Sequence, residues 1–502
     1  RQNSKSMRED EYMVNQRNQV KIYPIPRGAV LQEDYCIRIR PLGAEHWQEV
    51  RAYRVKVDMH DVRQASMAFF DFSGKVEVEI TFPRIFTVYK VDIRPLSLGI
   101  RAYFDADSIR FVLDKPSNLS IEVNKDRFHN LHLFTNIIEE TPDKNGENVL
   151  LVKGSLERVG FLTDEVNRKL EKMPKGRTVY VEAGLYYLGE YVWRLPSDTN
   201  IYLEGGVVLI GGMAFENGEN LHISGRGILY LADLHRFSGI HGIRLNHSRN
   251  INIENVIFIN PPHYTVNIGT CENVVLRNLK SFSCEGWSDG IDMMSSHNVL
   301  IDGGFLRTSD DCVAIYGSRW DNRGGSSHIR VQNLTLWADV AHPMNIGTHG
   351  DYEHDGDVIE DILFENIDVL EHHEYQSGYL GVMAINPGDK NLVCNVTYRN
   401  IRIEPFEHGK VLDFQVKWNP DYNPAPGKGI RNIRLDGVYV ISGQGEESSE
   451  IAGYSEEFCV EGVSIQNFYR DGKQMHSLED ANIQIGKYVK NVMLEQKKRD
   501  EG

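Results

Sequence analysis

The sequence has 502 residues, 41% hydrophobic and 25% charged, a balance typical of a globular protein, and it contains no apolar run near the roughly 18 residues that span a bilayer. Its formal net charge of −16 at pH 7 argues against a nucleic acid as the main partner, because a phosphate backbone requires a basic surface. The same charge is mildly unfavourable for a polyanionic substrate unless a local basic patch offsets it.

The N-terminal segment and the cysteines set further expectations. Residues 1–16 hold no apolar core, so we expect no signal peptide and a cytoplasmic location, although the processed form of a secreted protein also fits a chain that begins with Arg1. The six cysteines form no Cys-x-x-Cys pair. We therefore expect buried free thiols and no metal centre.

The N-terminal part of the chain contains short runs in which apolar and polar residues alternate. Examples are residues 76–82 (VEVEITF) and 119–123 (LSIEV). Alternation with period two, bounded by Gly, Pro and Asp, is typical of antiparallel strands with one buried face. We therefore predict a β-sandwich domain over residues 1–140.

A polar linker and one helix follow this domain. Residues 139–147 (EETPDKNGE) have the composition of a linker. In residues 164–173 the apolar side chains recur on one face, and Thr163 or Asp164 is suited to cap the first turn.

A short repeating unit then dominates the chain. In each copy apolar residues alternate, and the closing residues, 23 to 34 positions apart, are Asn255, Asn278, Gly303, Asn333, Asn366 and Asn400. A short strand that recurs at this period is typical of a β-solenoid, whose coils stack about 4.8 Å apart. Leucine-rich repeats would require consensus leucines and alternating helices, which are missing. We predict a parallel β-helix domain over residues 148–475 and a C-terminal tail over 476–502.

Three aspartates and a histidine recur at the spacing of one coil. Asp289 and Asp310 are 21 residues apart, Asp311 follows directly, and His342 lies 32 residues after Asp310. Residues one coil apart lie above one another, so these side chains are expected to meet in a surface cleft. Carboxylates packed this closely raise the pKa of one of them, and a protonated carboxyl beside ionised ones is what glycoside hydrolysis requires.

The motifs around these residues resemble glycoside hydrolase family 28, the polygalacturonase family, whose patterns are Asn-Thr-Asp-Gly, Asp-Asp, Gly-His-Gly and Arg-Ile-Lys. Residues 289–292 (DGID) match the first pattern, with Trp287 in place of its Asn, and residues 310–315 (DDCVAI) match the second. His342 matches the third, although both neighbouring glycines are replaced. The resemblance covers about residues 145–470.

This resemblance implies a right-handed parallel β-helix enzyme that hydrolyses α-glycosidic bonds with inversion. It also implies that Asp310 is the general acid and that Asp289 and Asp311 place and deprotonate the water. His342 would tune the protonation of the acid or bind substrate. No cofactor is implied, and a carbohydrate is the expected partner.

One departure from the family leaves the sugar open. Where Arg-Ile-Lys is expected, residues 381–387 read GVMAINP. In polygalacturonases that Arg and Lys bind the uronate carboxylate. A β-sandwich ahead of a β-helix with three acids also resembles family 49, the dextranases and isopullulanase, which act on neutral α-glucans. A β-helix polysaccharide lyase and a non-catalytic glycan-binding protein are the remaining alternatives.

Further substrate-binding residues are predicted from their position near the acids and from their chemistry. Aromatic rings can stack on sugars, and cations and amides can bind hydroxyl or carboxylate groups. The predicted set is Trp287, Asp292, Tyr316, Arg319, Trp320, His349, Asn386, Lys417 and Trp418.

Overall fold

A computed structural model describes residues 18–83 and 87–495, which are almost entirely β-strand. The first 17 residues of the predicted N-terminal domain and the last seven of the predicted tail lie outside the described residues. Within the described ranges, no helix combines the length and the apolar character needed to cross a membrane.

The described residues of the N-terminal domain form ten strands and one short 3₁₀ helix at Leu96–Leu98. The strands are β1 Gln19–Lys21, β2 Leu31–Pro41, β3 Gln48–Val57, β4 Arg63–Ser73, β5 Val76–Thr81, β6 Val91–Arg94, β7 Tyr103–Phe104, β8 Ser108–Leu113, β9 Asn118–Val123 and β10 Leu131–Ile137.

These ten strands form one continuous hydrogen-bonded sheet, so the two separate sheets of the predicted sandwich are not confirmed. The order is β6-β9-β10-β4-β3-β2-β5-β8-β7, with β1 paired to β4. The parallel pairing of β10 with β4 joins what would otherwise be two sheets. The apolar faces of β2 to β6 and β8 to β10 still enclose one core, which includes Ile37, Phe70 and Ile121.

From residue 149 to residue 495 the chain forms a 28-stranded stack with one short α-helix, α1 at Asp164–Leu170, and a 3₁₀ helix at Arg236–Ser238. Thr163 caps α1, because its side chain accepts a hydrogen bond from the backbone N–H of Glu165. Strands of the first half are β11 Val149–Val152, β12 Gly160–Leu162, β13 Arg177–Val181, β14 Gly184–Arg194, β15 Thr199–Leu203, β16 Val207–Glu216, β17 Glu219–Gly225, β18 Ile228–Tyr230, β19 Ile243–Asn246, β20 Arg249–Glu254, β21 Ile257–Ile259, β22 Val266–Gly269, β23 Glu272–Phe282, β24 Ile291–Met294 and β25 His297–Thr308.

Strands of the second half are β26 Val313–Tyr316, β27 Ser327–Ala338, β28 Met344–Ile346, β29 Val358–Glu371, β30 Met383–Ile385, β31 Leu392–Ile403, β32 Gly409–Lys410, β33 Leu412–Gln415, β34 Gly429–Val440, β35 Glu446–Glu447, β36 Ser449–Ala452, β37 Val460–Arg470, β38 Lys473–Gln474, β39 Ile483–Ile485 and β40 Val489–Glu495. Strands β32 and β35 pair separately.

The stacked strands confirm the predicted parallel β-helix. Equivalent strands of successive coils pair in parallel, and their inward side chains form continuous ladders. One ladder runs through Val179, Ile201, Ile223, Ile253, Leu276, Ile301, Val331, Phe364, Tyr398, Leu435, Ile465 and Leu494. Parallel strands joined by such crossovers are right-handed in nearly all proteins. The coils continue beyond the predicted boundary at residue 475, because β39 and β40 pair with β36 and β37. Residues 483–495 are therefore part of the β-helix and not of a separate tail.

All six cysteines are free thiols, as predicted from their spacing, but not all are buried. Cys36 lies exposed on β2, and Cys284 and Cys394 are partly exposed. Cys271 and Cys312 belong to the interior core of the β-helix, and Cys459 is also buried.

The recurring asparagines end the first face of the β-helix, which comprises β17, β20 and the N-terminal halves of β23, β25, β27, β29 and β31. The second face begins directly after them. Asn255, Asn278, Asn333, Asn366 and Asn400 all have left-handed backbone conformations, with φ between 52° and 60°. Among L-residues with a side chain, Asn adopts this conformation most readily. Their amides also form ladders between coils, for example Nδ2 of Asn366 to Oδ1 of Asn333 at 2.7 Å.

We expect Asn366→Ala to lower the free energy of unfolding by about 1–2 kcal/mol, because alanine meets the left-handed penalty and loses the amide ladder. Asn366→Gly, which removes the amide without that penalty, should lose less. Urea unfolding of both variants measures the difference, and equal losses would show that the backbone conformation is not the cause.

The N-terminal domain packs along the second face of the β-helix, which comprises β18, β21 and the C-terminal halves of β23, β25, β27 and β29. Side chains of β3, β4 and β10 form a joint core with this face. A buried ion pair joins Arg226 of the β-helix to Asp71 of β4 at 2.9 Å, and another joins Arg94 to Glu404 at 2.8 Å. These contacts fix the position of the domain beside the corner at which the second face ends.

Candidate active site

The predicted aspartates and histidine lie where the chain turns from the second face to the third, which comprises β19, β22, β24, β26, β28 and β30. Asp289 precedes β24, Asp310 and Asp311 precede β26, and His342 precedes β28. Backbone hydrogen bonds hold the corners in register, with the N–H of Gly290 donating to the carbonyl of Asp311 at 2.8 Å. A side chain at Gly290 would place its Cβ 2.2 Å from the carbonyl oxygen of Cys312, so glycine allows this close stacking.

This stacking brings the three carboxyl groups together. One oxygen each of Asp289, Asp310 and Asp311 lies within 4.8 Å of the others. Asp310 accepts hydrogen bonds from the backbone N–H of Trp287 at 3.1 Å and of Asp311 at 3.0 Å. Burial and the nearby charge of Asp311 outweigh these bonds and raise the pKa of Asp310 to about 7.

The neighbouring carboxyl, Asp311, is held by three hydrogen bonds. Its Oδ1 accepts from the backbone N–H of His342 at 3.0 Å and faces Nδ1 of the ring at 2.7 Å, and Oδ2 accepts from Asn345 at 2.7 Å. Nε2 of His342 faces the carbonyl oxygen of Tyr379 at 2.6 Å. Burial alone would lower the pKa of His342, but the Asp311 carboxylate raises it overall. Because each ring nitrogen faces an acceptor, a protonated His342 can donate both to Asp311 and to the carbonyl oxygen of Tyr379.

A fourth aspartate lies beneath the cluster. Asp292, on β24, is fully buried, and burial followed by the charge of Asp311 raises its pKa well above the usual range. The pKa of Asp289 is raised in the same way, by burial and then by the charges of Asp292 and its other acidic neighbours. Burial and nearby negative charge thus favour the protonated forms of Asp289, Asp292 and Asp310. The carboxylate of Asp311 instead accepts hydrogen bonds from its neighbours.

The acids open into a cleft of about 490 Å³. Of the predicted substrate-binding residues, Trp287, Tyr316, Arg319 and His349 line it. Trp320 lines an adjoining cavity of about 270 Å³ that shares Arg319 and His349 with the cleft. The guanidinium of Arg319 lies 4.4 Å from the Trp320 ring centre and also donates to the Tyr264 hydroxyl.

Four predicted substrate-binding residues are placed elsewhere, and none of them lines the cleft. Asp292 is buried below it. Asn386 is buried and donates to Asp413 at 3.1 Å. Lys417 pairs with the same carboxylate at 2.8 Å, because the buried charge of Asp413 requires partners. Trp418 is half-exposed, with its indole N–H donating to the carbonyl oxygen of Asn423.

Several residues that line the cleft were not predicted from the sequence: Met59, His60, Tyr264, Glu374, Tyr375, Gln376, Tyr379 and Tyr422. Some of them could have been predicted from the length of one coil. Tyr264 lies 25 residues before Asp289, and Glu374 lies 32 residues after His342. Glu374 is buried, and burial raises its pKa. Met59 and His60 belong to the N-terminal domain, and no local pattern connects them to the site.

We expect turnover to be insensitive to EDTA, although three carboxylates at this spacing are of the type that can hold a cation. Both oxygens of Asp311 and both of Asp310 already accept hydrogen bonds from the protein. The measurement is the rate of release of reducing ends before and after chelation. Loss of activity that Ca²⁺ restores would favour the lyase alternative.

Comparison with known proteins identifies relatives of the part of the chain that carries this site. The model of glycosyl hydrolases family 28 matches residues 239–487, a range that includes all three acids and His342. A polygalacturonase of Juniperus ashei is 26% identical over 163 residues, which are 32% of this chain and 29% of that protein. A probable exopolygalacturonase B of Aspergillus terreus is 26% identical over 213 residues, 40% of this chain and 46% of that protein. The chain thus matches less than half the length of these relatives.

Solved structures show the same fold. Dex49A from Penicillium minioluteum superimposes with a TM-score of 0.57 at 14% identity, covering 94% of this chain and 96% of that one. A family 28 exopolygalacturonase of Yersinia enterocolitica has a TM-score of 0.51 at 12% identity, covering 90% and 100%. The family model and the relatives confirm the resemblance to family 28 that the motifs indicated, and the structures confirm the β-helix fold.

Proposed function

Because the chain is related to glycoside hydrolase family 28, we propose that it hydrolyses α-glycosidic bonds of a pectin-related polysaccharide or oligosaccharide with inversion at the anomeric carbon. One observation carries the proposal. Asp310 has a pKa of about 7 and lies within 4.8 Å of Asp289 and Asp311, so a proton donor and water-binding carboxyls share one cleft.

The proposed roles follow from the contacts of each group. Asp310 donates its proton to the leaving glycosidic oxygen. Asp311, which accepts hydrogen bonds from His342 and Asn345, and Asp289 bind the attacking water, and Asp311 takes its proton. His342 is a positioning residue, because both of its ring nitrogens are engaged by Asp311 and by the backbone.

A neutral α-glucan is the second candidate substrate, and two observations favour it. Residues 381–387 carry no Arg or Lys where the family has its uronate clamp. Glu374 adds a further carboxyl to the cleft and would repel a uronate. Arg319 is the opposing observation, since its guanidinium lies in the cleft, where it can pair with a sugar carboxylate.

Two assays test the proposal. Release of reducing ends is measured on unesterified polygalacturonate, dextran and pullulan, and a preference for the first over both glucans identifies the pectin-related substrate. Proton NMR of the freshly released sugar then determines its anomeric configuration. The carboxyl spacing in this cleft is shorter than the about 6.5–9.5 Å typical of inverting pairs. The anomeric assay decides the mechanism independently of this spacing, and a retained configuration would overturn inversion. Failure to hydrolyse all three glycans would overturn the proposed activity.

We expect kcat/KM to fall as the pH rises through about 7. The raised pKa of Asp310 means that its acid form, which delivers the proton, is present below this pH and is lost above it. The measurement is a pH profile between 5 and 9, with thermal melts at each pH to show that the fold is intact. A rate that stays constant up to pH 9 would exclude Asp310 as the acid.

A further inference from the structure

One wall of the cleft comes from the N-terminal domain. The turn between β3 and β4, residues 58–62, reaches the corner that carries the acids, and both Met59 and His60 line the cleft. The backbone N–H of Met59 donates to Oγ of Ser309 at 3.1 Å. Ser309 directly precedes Asp310, so the turn is joined to the catalytic corner by a direct hydrogen bond.

The turn is held in one conformation. Asp58 has a left-handed backbone (φ 62°), its Oδ1 accepts from the backbone N–H of His60 at 3.1 Å, and its carboxylate pairs with Arg63. The strand that leads into the turn is also fixed, because Lys56 and Asn260 exchange two hydrogen bonds of 2.9 and 2.7 Å. The side chains at the tip are therefore presented to the cleft by a rigid support.

The side chain of His60 itself is exposed and faces a loop of the β-helix. Its ring lies edge-on to Tyr375, with 4.9 Å between ring centres, and Tyr375 in turn lies 4.3 Å from His373. The same loop contributes Glu374 and Tyr379 to the cleft. The turn and this loop, although distant in sequence, thus form one continuous wall beside Asp310.

We propose that Met59 and His60 bind a sugar unit next to the bond that is cleaved, so that the N-terminal domain is part of the substrate-binding site. Imidazole nitrogens suit sugar hydroxyls as hydrogen-bond partners, and the Met59 thioether suits the apolar face of a sugar ring. This inference rests on the proposed function, because it assumes that a glycan occupies the cleft.

The test compares His60→Ala with His46→Ala, a matched exposed histidine that precedes β3 at its opposite end, about 33 Å away along the strand. Binding of oligogalacturonides and of isomaltooligosaccharides is measured by calorimetry, separately from hydrolysis. His60→Ala should weaken binding of the glycan that the wild type binds by about three- to tenfold, the value of one net hydrogen bond. The melting temperature of His60→Ala should be unchanged, and His46→Ala should bind and hydrolyse the glycan like the wild type.

The two proposals fail in different ways. If His60→Ala binds as tightly as His46→Ala, the sugar-binding role of the turn is overturned, whatever the rate of hydrolysis. The sugar-binding role of the turn is also overturned if the wild type binds neither class of oligosaccharide. If His60→Ala binds more weakly but the wild type hydrolyses no glycan, the sugar-binding role of the turn is supported and the proposed activity is overturned.

Discussion

Asp310→Asn should reduce kcat by about 10²–10⁴-fold while the fold and substrate binding remain nearly intact. The amide has the same shape as the carboxyl but cannot deliver a proton to the leaving oxygen. Its single oxygen can accept from only one of the N–H groups of Trp287 and Asp311, which bind different oxygens of Asp310. One backbone hydrogen bond is therefore lost, and the melting temperature reports its cost. The measurements are kcat on the preferred glycan, the dissociation constant of an oligosaccharide and the melting temperature.

Matched variants show whether this loss is specific. Asp114→Asn makes the same chemical change at an exposed carboxyl of the N-terminal domain and should leave kcat unchanged. Asp289→Asn and Asp311→Asn should each be about as damaging as Asp310→Asn. A double variant should be little worse, because residues that act as a unit do not contribute additively. An Asp310→Asn enzyme with wild-type kcat would show that the acid is misassigned.

Asp339→Ala should lower the free energy of unfolding by about 3–5 kcal/mol, because it leaves a fully buried arginine without its counter-charge. Arg307 is bound at both Nε and Nη2 by Asp339, at 2.8 and 2.9 Å, and neither side chain is more than 1% exposed. The remaining guanidinium nitrogen contacts Asn130 and His132 of the N-terminal domain. The substitution should therefore weaken both the coil and the attachment of the domain.

Chemical denaturation measures this loss, and two comparisons test its cause. Glu219→Ala removes a solvent-accessible ion pair with Arg249 and should cost far less, because water and salt screen such a pair. Replacing Arg307 and Asp339 together with apolar residues of similar volume should recover most of the stability, since no charge is then left unpaired. A loss for Asp339→Ala as small as that for Glu219→Ala would show that solvent reaches Arg307.

The architecture of the β-helix could be predicted because its repeat is local. Each coil must place alternating apolar residues inward and turn at an asparagine or glycine, so the period is visible in the sequence. The same regularity places residues one coil apart above each other, which is why the spacing of Asp289, Asp310 and His342 was sufficient to predict a common cleft. Tyr264 and Glu374 also lie at the spacing of one coil from the site residues, but only the structure shows that they line the cleft.

Other features depended on contacts between distant parts of the chain. Period-two alternation shows that a strand has one buried face, but not that β10 would pair with β4 and join the N-terminal strands into one sheet. Residue type and proximity to the acids could not reveal that the charge of Lys417 is taken up by the buried Asp413. Met59 and Ser309, 250 residues apart, meet only because the N-terminal domain packs on the second face of the β-helix. The repeating sequence thus determined the corner that carries the acids, whereas packing between the domains decided what surrounds it, because such long-range contacts leave no periodic trace.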